Sequence, residues 1–258
     1  MRPCLETPID IRGRAFGGPK PLFCIPLVAG EPAELVAQAK IAAALQPDLV
    51  EWRADFSHDC SPDALVCAGE ILRGALPDPP IVFTLRIKAE GGAREMPPTE
   101  RRLAIEAVLR SQTVDVVDLE LANEPEFLDP LMEIAGRHGV RVILSFHDFK
   151  TTPATGALLA KIAAMRSKGA DIAKLAVAPN TPEDVLRLLQ VTLEARRTYP
   201  QLPLAIMSIG ALGSITRVAG FLYGSDMAFA VGKEASAPGQ IPIQDARTIT
   251  EMLLRYAS

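Results

Sequence analysis

The sequence predicts an α/β fold, a single-domain (β/α)8 TIM barrel. Three observations predict it: eight short apolar or β-branched runs, near-regular spacing between them, and helical patterns in the gaps. The runs are Phe23–Leu27, Asp48–Arg53, Ile81–Arg86, Val114–Leu121, Val140–Phe146, Asp171–Val177, Pro203–Ser208 and Met227–Val231. Their starts lie 25, 33, 33, 26, 31, 32 and 24 residues apart. Strands alternating with helices at this spacing make a parallel sheet, because each crossover needs a helix's length of chain. Eight such units in about 230 residues match the arithmetic of the barrel. A doubly wound open sheet is the alternative, but no Gly-x-Gly-x-x-Gly turn follows the first run.

Each element has its own signature. Residues 1–20 carry glycines and charges outside the repeat and read as an extension, a strand pair or arm covering the bottom of the barrel. The barrel itself is assigned to residues 21–258. Glu34–Leu45, Thr99–Gln112 and Pro182–Tyr199 have the spacing of amphipathic helices. Thr181-Pro182-Glu183-Asp184 supplies an N-cap, a proline at the first helical position and acids in the first turn; Glu31-Pro32-Ala33-Glu34 is a weaker version.

Composition excludes several function classes. With 258 residues, 48% apolar and 22% charged, the chain can bury a sizeable core. A net charge of −4 argues against a nucleic-acid surface. No window reaches the ~18 consecutive apolar residues of a membrane span, and Met1–Gly18 lacks the apolar stretch of a secretory signal. A cytoplasmic protein is the simplest reading. Cys4, Cys24, Cys60 and Cys67 form no C-x-x-C pair, so reduced thiols are expected, with Cys24 a small core residue.

Chemistry in a barrel gathers at the C-terminal ends of its strands, and polar residues recur there. Glu51 and Arg53 are two apart and share a strand face, as do Ser145 and His147, and Asp118 and Glu120. Lys174 lies inside the apolar run Ile172–Val177. Burial penalises an ammonium and favours the neutral amine, a nucleophile toward carbonyl carbon. The bland reading is an outward lysine whose stem lies between helices. His147 ends a strand and has the intrinsic range of a general acid/base; a structural histidine is the alternative. Glu90 could orient that imidazole, or be a solvated loop residue. Arg53, Arg86 and Arg217 would together form a cationic site suited to a carboxylate. Gly91-Gly92 reads as a flexible lid or a phosphate cradle. Asp118 and Glu120 read as braces in preference to metal ligands, because no convergent third ligand is evident.

Taken together, Glu51-Trp-Arg-Ala-Asp55, Thr84-Leu-Arg-Ile-Lys-Ala-Glu-Gly-Gly92, Asp118-Leu-Glu-Leu121, Ser145-Phe-His-Asp-Phe149, Ala170–Val177, Met207-Ser208 and Ala235-Ser-Ala-Pro-Gly-Gln240 resemble the type I 3-dehydroquinate dehydratases. The likeness runs from about Pro21 to the C-terminus. It implies a metal-free and cofactor-free barrel, usually a homodimer, that dehydrates 3-dehydroquinate to 3-dehydroshikimate in the shikimate pathway. It makes Lys174 the Schiff-base lysine, His147 the proton shuttle and Glu90 its paired carboxylate. Arg217 would hold the substrate carboxylate, and Glu51, Arg53, Arg86, Ser236 and Gln240 the ring hydroxyls. Pro26 and Ile87 stand where relatives carry serines, which touches affinity more than reaction class. Rival readings are another Schiff-base aldolase barrel, a non-catalytic barrel binding a polyhydroxy acid, and a metal-dependent lyase built on Glu51, Asp118 and Glu120.

Overall fold

The computed structural model describes residues 3–232 and 239–256. A short antiparallel hairpin, β1 (Ile9–Ile11) and β2 (Arg14–Phe16), precedes eight parallel strands. These are β3 (Leu22–Leu27), β4 (Leu49–Arg53), β5 (Ile81–Thr84), β6 (Val116–Glu120), β7 (Arg141–Asp148), β8 (Ile172–Val177), β9 (Leu204–Ser208) and β10 (Met227–Val231). Each crossover carries a helix: α1 (Pro32–Ala44), α2 (Pro62–Ala75), α3 (Pro98–Ser111), α4 (Pro125–His138), α5 (Thr155–Ser167), α6 (Pro182–Thr198) and the short α7 (Ile215–Ala219). A two-residue strand, β11 (Ile241–Pro242), pairs with β10 and leads into α8 (Ile243–Tyr256).

Proline opens α1, α2, α3, α4 and α6, where a missing N–H costs nothing. At α6 the Asp184 carboxylate accepts the backbone N–H of Asn180 at 2.8 Å and of Thr181 at 3.2 Å, which fixes the helix start the sequence signalled. The two other helices bounded from the sequence, α1 and α3, lie within one or two residues of those bounds. Two strands differ usefully. β7 runs on through Asp148, so His147 belongs to the strand; β5 stops at Thr84, two residues before Arg86.

The strands follow the order β10-β3-β4-β5-β6-β7-β8-β9, every neighbour parallel. The ring closes between β9 and β10, partly through side chains. Asp226 donates its N–H to Leu204 O at 2.6 Å and accepts Leu204 N–H on Oδ2 at 2.8 Å, while Ser225 Oγ accepts Ile206 N–H at 3.0 Å.

Two apolar layers hold the barrel. Between strands and helices pack the outward residues, among them Trp52, Phe83, Leu119, Leu144 and Leu175. Inside the ring a smaller cluster joins Leu49, Val82, Val116, Ile143 and Ile172 to Ile11 and Phe16 of the hairpin, which thus plugs the N-terminal end. Two residues further along the same strands the interior changes character: Glu51, Thr84, Asp118, Ser145 and Lys174 follow, all buried. One more step gives Arg53, Arg86, Glu120 and His147. The period of two therefore lifts a polar floor directly onto an apolar plug.

Candidate active site

Lys174 points into the barrel. It lies opposite Ser145 in the β7–β8 register and is only 3% exposed. Its Nζ donates to Asp118 Oδ2 at 2.7 Å, lies 3.4 Å from Glu51 Oε1, and sits 4.6 Å from the centroid of the Phe229 ring. The sequence reading treated burial as the force acting on this amine. The structure adds two carboxylates, Asp118 and Glu51, that meet the same nitrogen.

Asp118 is itself shared. Arg86 Nη2 lies 2.8 Å from Oδ2, and Ser145 donates to Oδ1 at 2.6 Å. Burial raises this carboxyl, but Arg86 and Lys174 outweigh it and hold it well below the usual carboxylate range. Glu120 accepts Arg86 Nη1 at 2.8 Å and Ile87 N–H at 3.1 Å, and ion-pairs with Arg101 of α3. Glu51 accepts the Thr84 hydroxyl at 2.9 Å. Each acid considered as a metal ligand, Glu51, Asp118 and Glu120, is thus engaged by a donor of the protein.

His147 sits two residues above Ser145, one layer nearer the mouth. Its Nδ1 and its backbone N–H both meet Glu90 Oε2 at 2.9 Å, which leaves Nε2 as the nitrogen for a ligand. Burial, with Arg86 and Lys174 nearby, pushes the imidazole well below its usual range and keeps it neutral. Burial, reinforced by Glu120 and opposed by Arg86, lifts Glu90 to about 7. The loop that carries Glu90 is tied to β4: the Arg53 guanidinium forks onto Asp55 at 2.8 Å on both oxygens, Asp55 Oδ2 also accepts Ala93 N–H at 2.9 Å, and Arg53 reaches Gly91 O at 3.2 Å. Gly92 is compelled there, since a Cβ would lie 2.1 Å from Arg86 O. The two glycines therefore serve a tethered loop and close backbone packing, and the lid and phosphate-cradle readings gain no support.

The expected trio of arginines divides. Arg53 and Arg86 are neutralised by Asp55, Asp118 and Glu120, so they do not form the open cationic site read from the sequence. Arg217 is different. It is 4% exposed, its Nη1 donates to Phe229 O at 3.3 Å, and its Nε has no hydrogen-bond partner among the described residues. Burial alone pushes it down to about 10. A buried guanidinium facing no carboxylate among the described residues is suited to an anionic ligand.

Glu51, Arg53, Arg86, Glu90, His147, Lys174, Arg217 and Gln240 all line one cleft of about 120 Å³ at the C-terminal mouth, joined by the apolar Phe149, Met207 and Phe229. Ser236 lies outside the described residues. Three contributors were missed in the sequence. Arg101 and Asp55 carry no local signal of burial, and Phe149, stacked beside His147 at 6.3 Å, looked like part of a loop. No helix among the described residues is long and apolar enough to cross a membrane.

Comparison with known proteins agrees with this geometry. The profile of the Type I 3-dehydroquinase family matches residues 23–256. The 3-dehydroquinate dehydratase of Geobacillus thermodenitrificans (strain NG80-2) is 42% identical over 252 residues, covering 96% of this chain and 97% of that protein. The crystal structure of 3-dehydroquinate dehydratase from Geobacillus kaustophilus HTA426 superposes with a TM-score of 0.96 at 40% identity, covering 100% of both chains. That of the type I enzyme from Clostridium difficile, solved with covalently modified comenic acid, gives 0.93 at 29% identity over 96% of this chain and 98% of that one. On this match of sequence, fold and length, the chain belongs to the Type I 3-dehydroquinase family.

Proposed function

We propose that this protein dehydrates 3-dehydroquinate to 3-dehydroshikimate, a step of the shikimate pathway, through an imine on Lys174. The observation that carries the reading is the buried Lys174 amine at the floor of a cleft that also holds the His147–Glu90 pair and the anion-seeking Arg217.

The chemistry follows from the parts. The Lys174 nitrogen attacks the ring ketone, and the ketone oxygen leaves as water carrying two of the ammonium's three hydrogens. The positive charge stays on nitrogen as an iminium, so the carboxylates of Asp118 and Glu51 stabilise the cation before and after the bond forms. The iminium draws electrons from the adjacent carbon. Neutral His147, positioned by Glu90, removes a proton there through Nε2 and leaves an enamine. The enamine expels the β-hydroxyl, the same imidazole returns the proton to the departing oxygen, and water hydrolyses the conjugated iminium to product and amine. One histidine serves both steps only when proton and hydroxyl leave from one face, so the elimination is syn. Arg217 takes the substrate carboxylate. Arg53, Arg86, Glu51, Gln240 and Ser236 are assigned to the ring hydroxyls, Arg86 and Glu51 as much through the charges they fix as through contact. A homodimeric assembly and a cytoplasmic setting accompany the reading; sedimentation tests the first.

Borohydride reduction in the presence of 3-dehydroquinate, followed by mass spectrometry, tests the reading. A stable adduct is expected on Lys174 of the native chain and none on Lys174→Ala. An unmodified native chain that still forms conjugated product would sink the imine route. An adduct with release of a carbon–carbon cleavage product would favour an aldolase.

A further inference from the structure

Among the described residues, Arg101 is the one buried cation near the cleft that the mechanism does not use. It projects from α3, is 3% exposed, and is fully engaged: Nε donates to Leu85 O at 2.8 Å, Nη1 to Asn123 Oδ1 at 3.0 Å, and Nη2 pairs with Glu120. Its guanidinium also stands 4.7 Å from the centroid of the Phe127 ring. From there an unbroken line of opposite charges runs inward: Glu120 to Arg86, Arg86 to Asp118, Asp118 to Lys174. With Glu51 the group holds three cations and three carboxylates, so it is neutral when Lys174 is an ammonium and carries one negative charge when the amine is free.

We propose that Arg101 is a positioning residue for the imine-forming lysine, acting through Glu120, Arg86 and Asp118 to set the charge of the cluster and hence the pH at which Lys174 becomes nucleophilic. The proposal rests on the imine reading above. Without Arg101, freeing the amine would leave two uncompensated negative charges in a buried network, where polar pairs are coupled and weakly screened. The charged state of Lys174 would then be retained to higher pH. The other groups facing the amine are His147 from β7, the Cys24 thiol from β3, the Phe229 ring from β10 and, across the cleft, Arg217. None of them changes in the variants below.

The test is the rate of adduct formation on Lys174 with 3-dehydroquinate and a hydride reductant across a pH series, read by mass spectrometry on the full chain. Arg101→Gln is expected to move the midpoint upward by about 0.5–1 pH unit, from a unit charge acting at an effective dielectric near 20. Arg101→Lys, which keeps the charge but loses the fork, is expected to restore the native midpoint, and so is the doubly neutral Arg101→Gln/Glu120→Gln variant. Should Arg101→Gln not fold, Glu120→Gln alone removes the opposite charge and is expected to move the midpoint down. A native midpoint in Arg101→Gln or in Glu120→Gln, with only thermal stability lowered, would make Arg101 a structural staple and overturn the proposal. So would an equal shift in Arg101→Lys. A native chain that traps no adduct at all overturns the imine reading and this inference together.

Discussion

Ser145 and Lys174 lie directly opposite each other on β7 and β8, and both end on the same carboxylate, Ser145 on Asp118 Oδ1 at 2.6 Å and Lys174 on Oδ2 at 2.7 Å. The side chain of Asp118 is therefore fixed from two sides before Arg86 adds a third contact. A lysine held this way keeps its amine at the floor of the cleft that it lines. The predictions below concern what happens when members of this arrangement are removed.

Asp118→Asn leaves Arg86 and Lys174 short of a counter-charge in a buried site. Breaking a buried pair in this manner costs about 3–5 kcal/mol, and chemical denaturation at neutral pH should show a loss of that order. The sign with pH follows from the depressed carboxyl. Its folded value lies below its ordinary 3.8, so its contribution is present above that pH and is lost as the pH falls below it. Native and variant stabilities should therefore converge in acid.

His147→Ala should keep the covalent step and lose the proton transfers. Adduct formation on Lys174 persists while kcat falls by roughly 10²–10⁴-fold. Equal losses of adduct and turnover would assign the histidine to imine formation instead.

Glu90 governs a pH limb. Once ionised it accepts the Nδ1 proton of His147 and frees Nε2 as the base; once protonated it offers a proton to Nδ1 and that arrangement is lost. Because the group sits at about 7, kcat/KM should rise with pH through about 7 in the native enzyme. In Glu90→Gln the limb at about 7 should vanish, while the imidazole still titrates below its ordinary 6.5. A native profile that is flat through neutrality would contradict the assignment.

Arg217→Ala removes a guanidinium that faces no carboxylate among the described residues, so little stability should change. The charge-assisted bonds to a substrate carboxylate are worth about 1.5–3 kcal/mol, which predicts a drop of roughly 10–150-fold in kcat/KM, carried mainly by KM. Steady-state kinetics paired with a thermal melt separates this from general damage.

Much of this was readable before any coordinates. Strand side chains alternate, so Glu51 with Arg53, Asp118 with Glu120, and Ser145 with His147 could each be placed on one strand face, while the pattern around Lys174 left an inward amine and an outward stem both open. What could not be read was the neutralisation of Arg53 and Arg86, which depends on partners brought close by ring closure. Nor could the residues show that Glu90 meets His147: they are 57 positions apart, and a tethered loop joins them. The residue pattern left Glu90 as either an orienter of that imidazole or a solvated loop residue, and the family resemblance favoured the first. Arg101 was hidden for a different reason. It stands in Thr99-Glu-Arg-Arg-Leu103, which resembles the solvated face of any amphipathic helix, and only its reach under Leu85 and Asn123 makes it interior.

Ile11 and Phe16 close the lower end of the ring. Among the described residues the polar interior is therefore closed below and opens at the C-terminal mouth. On the imine reading, the water shed from the ketone and the product would leave through the same mouth that admits the substrate. A bulky ligand lodged above Lys174 would therefore trap whatever lies beneath it.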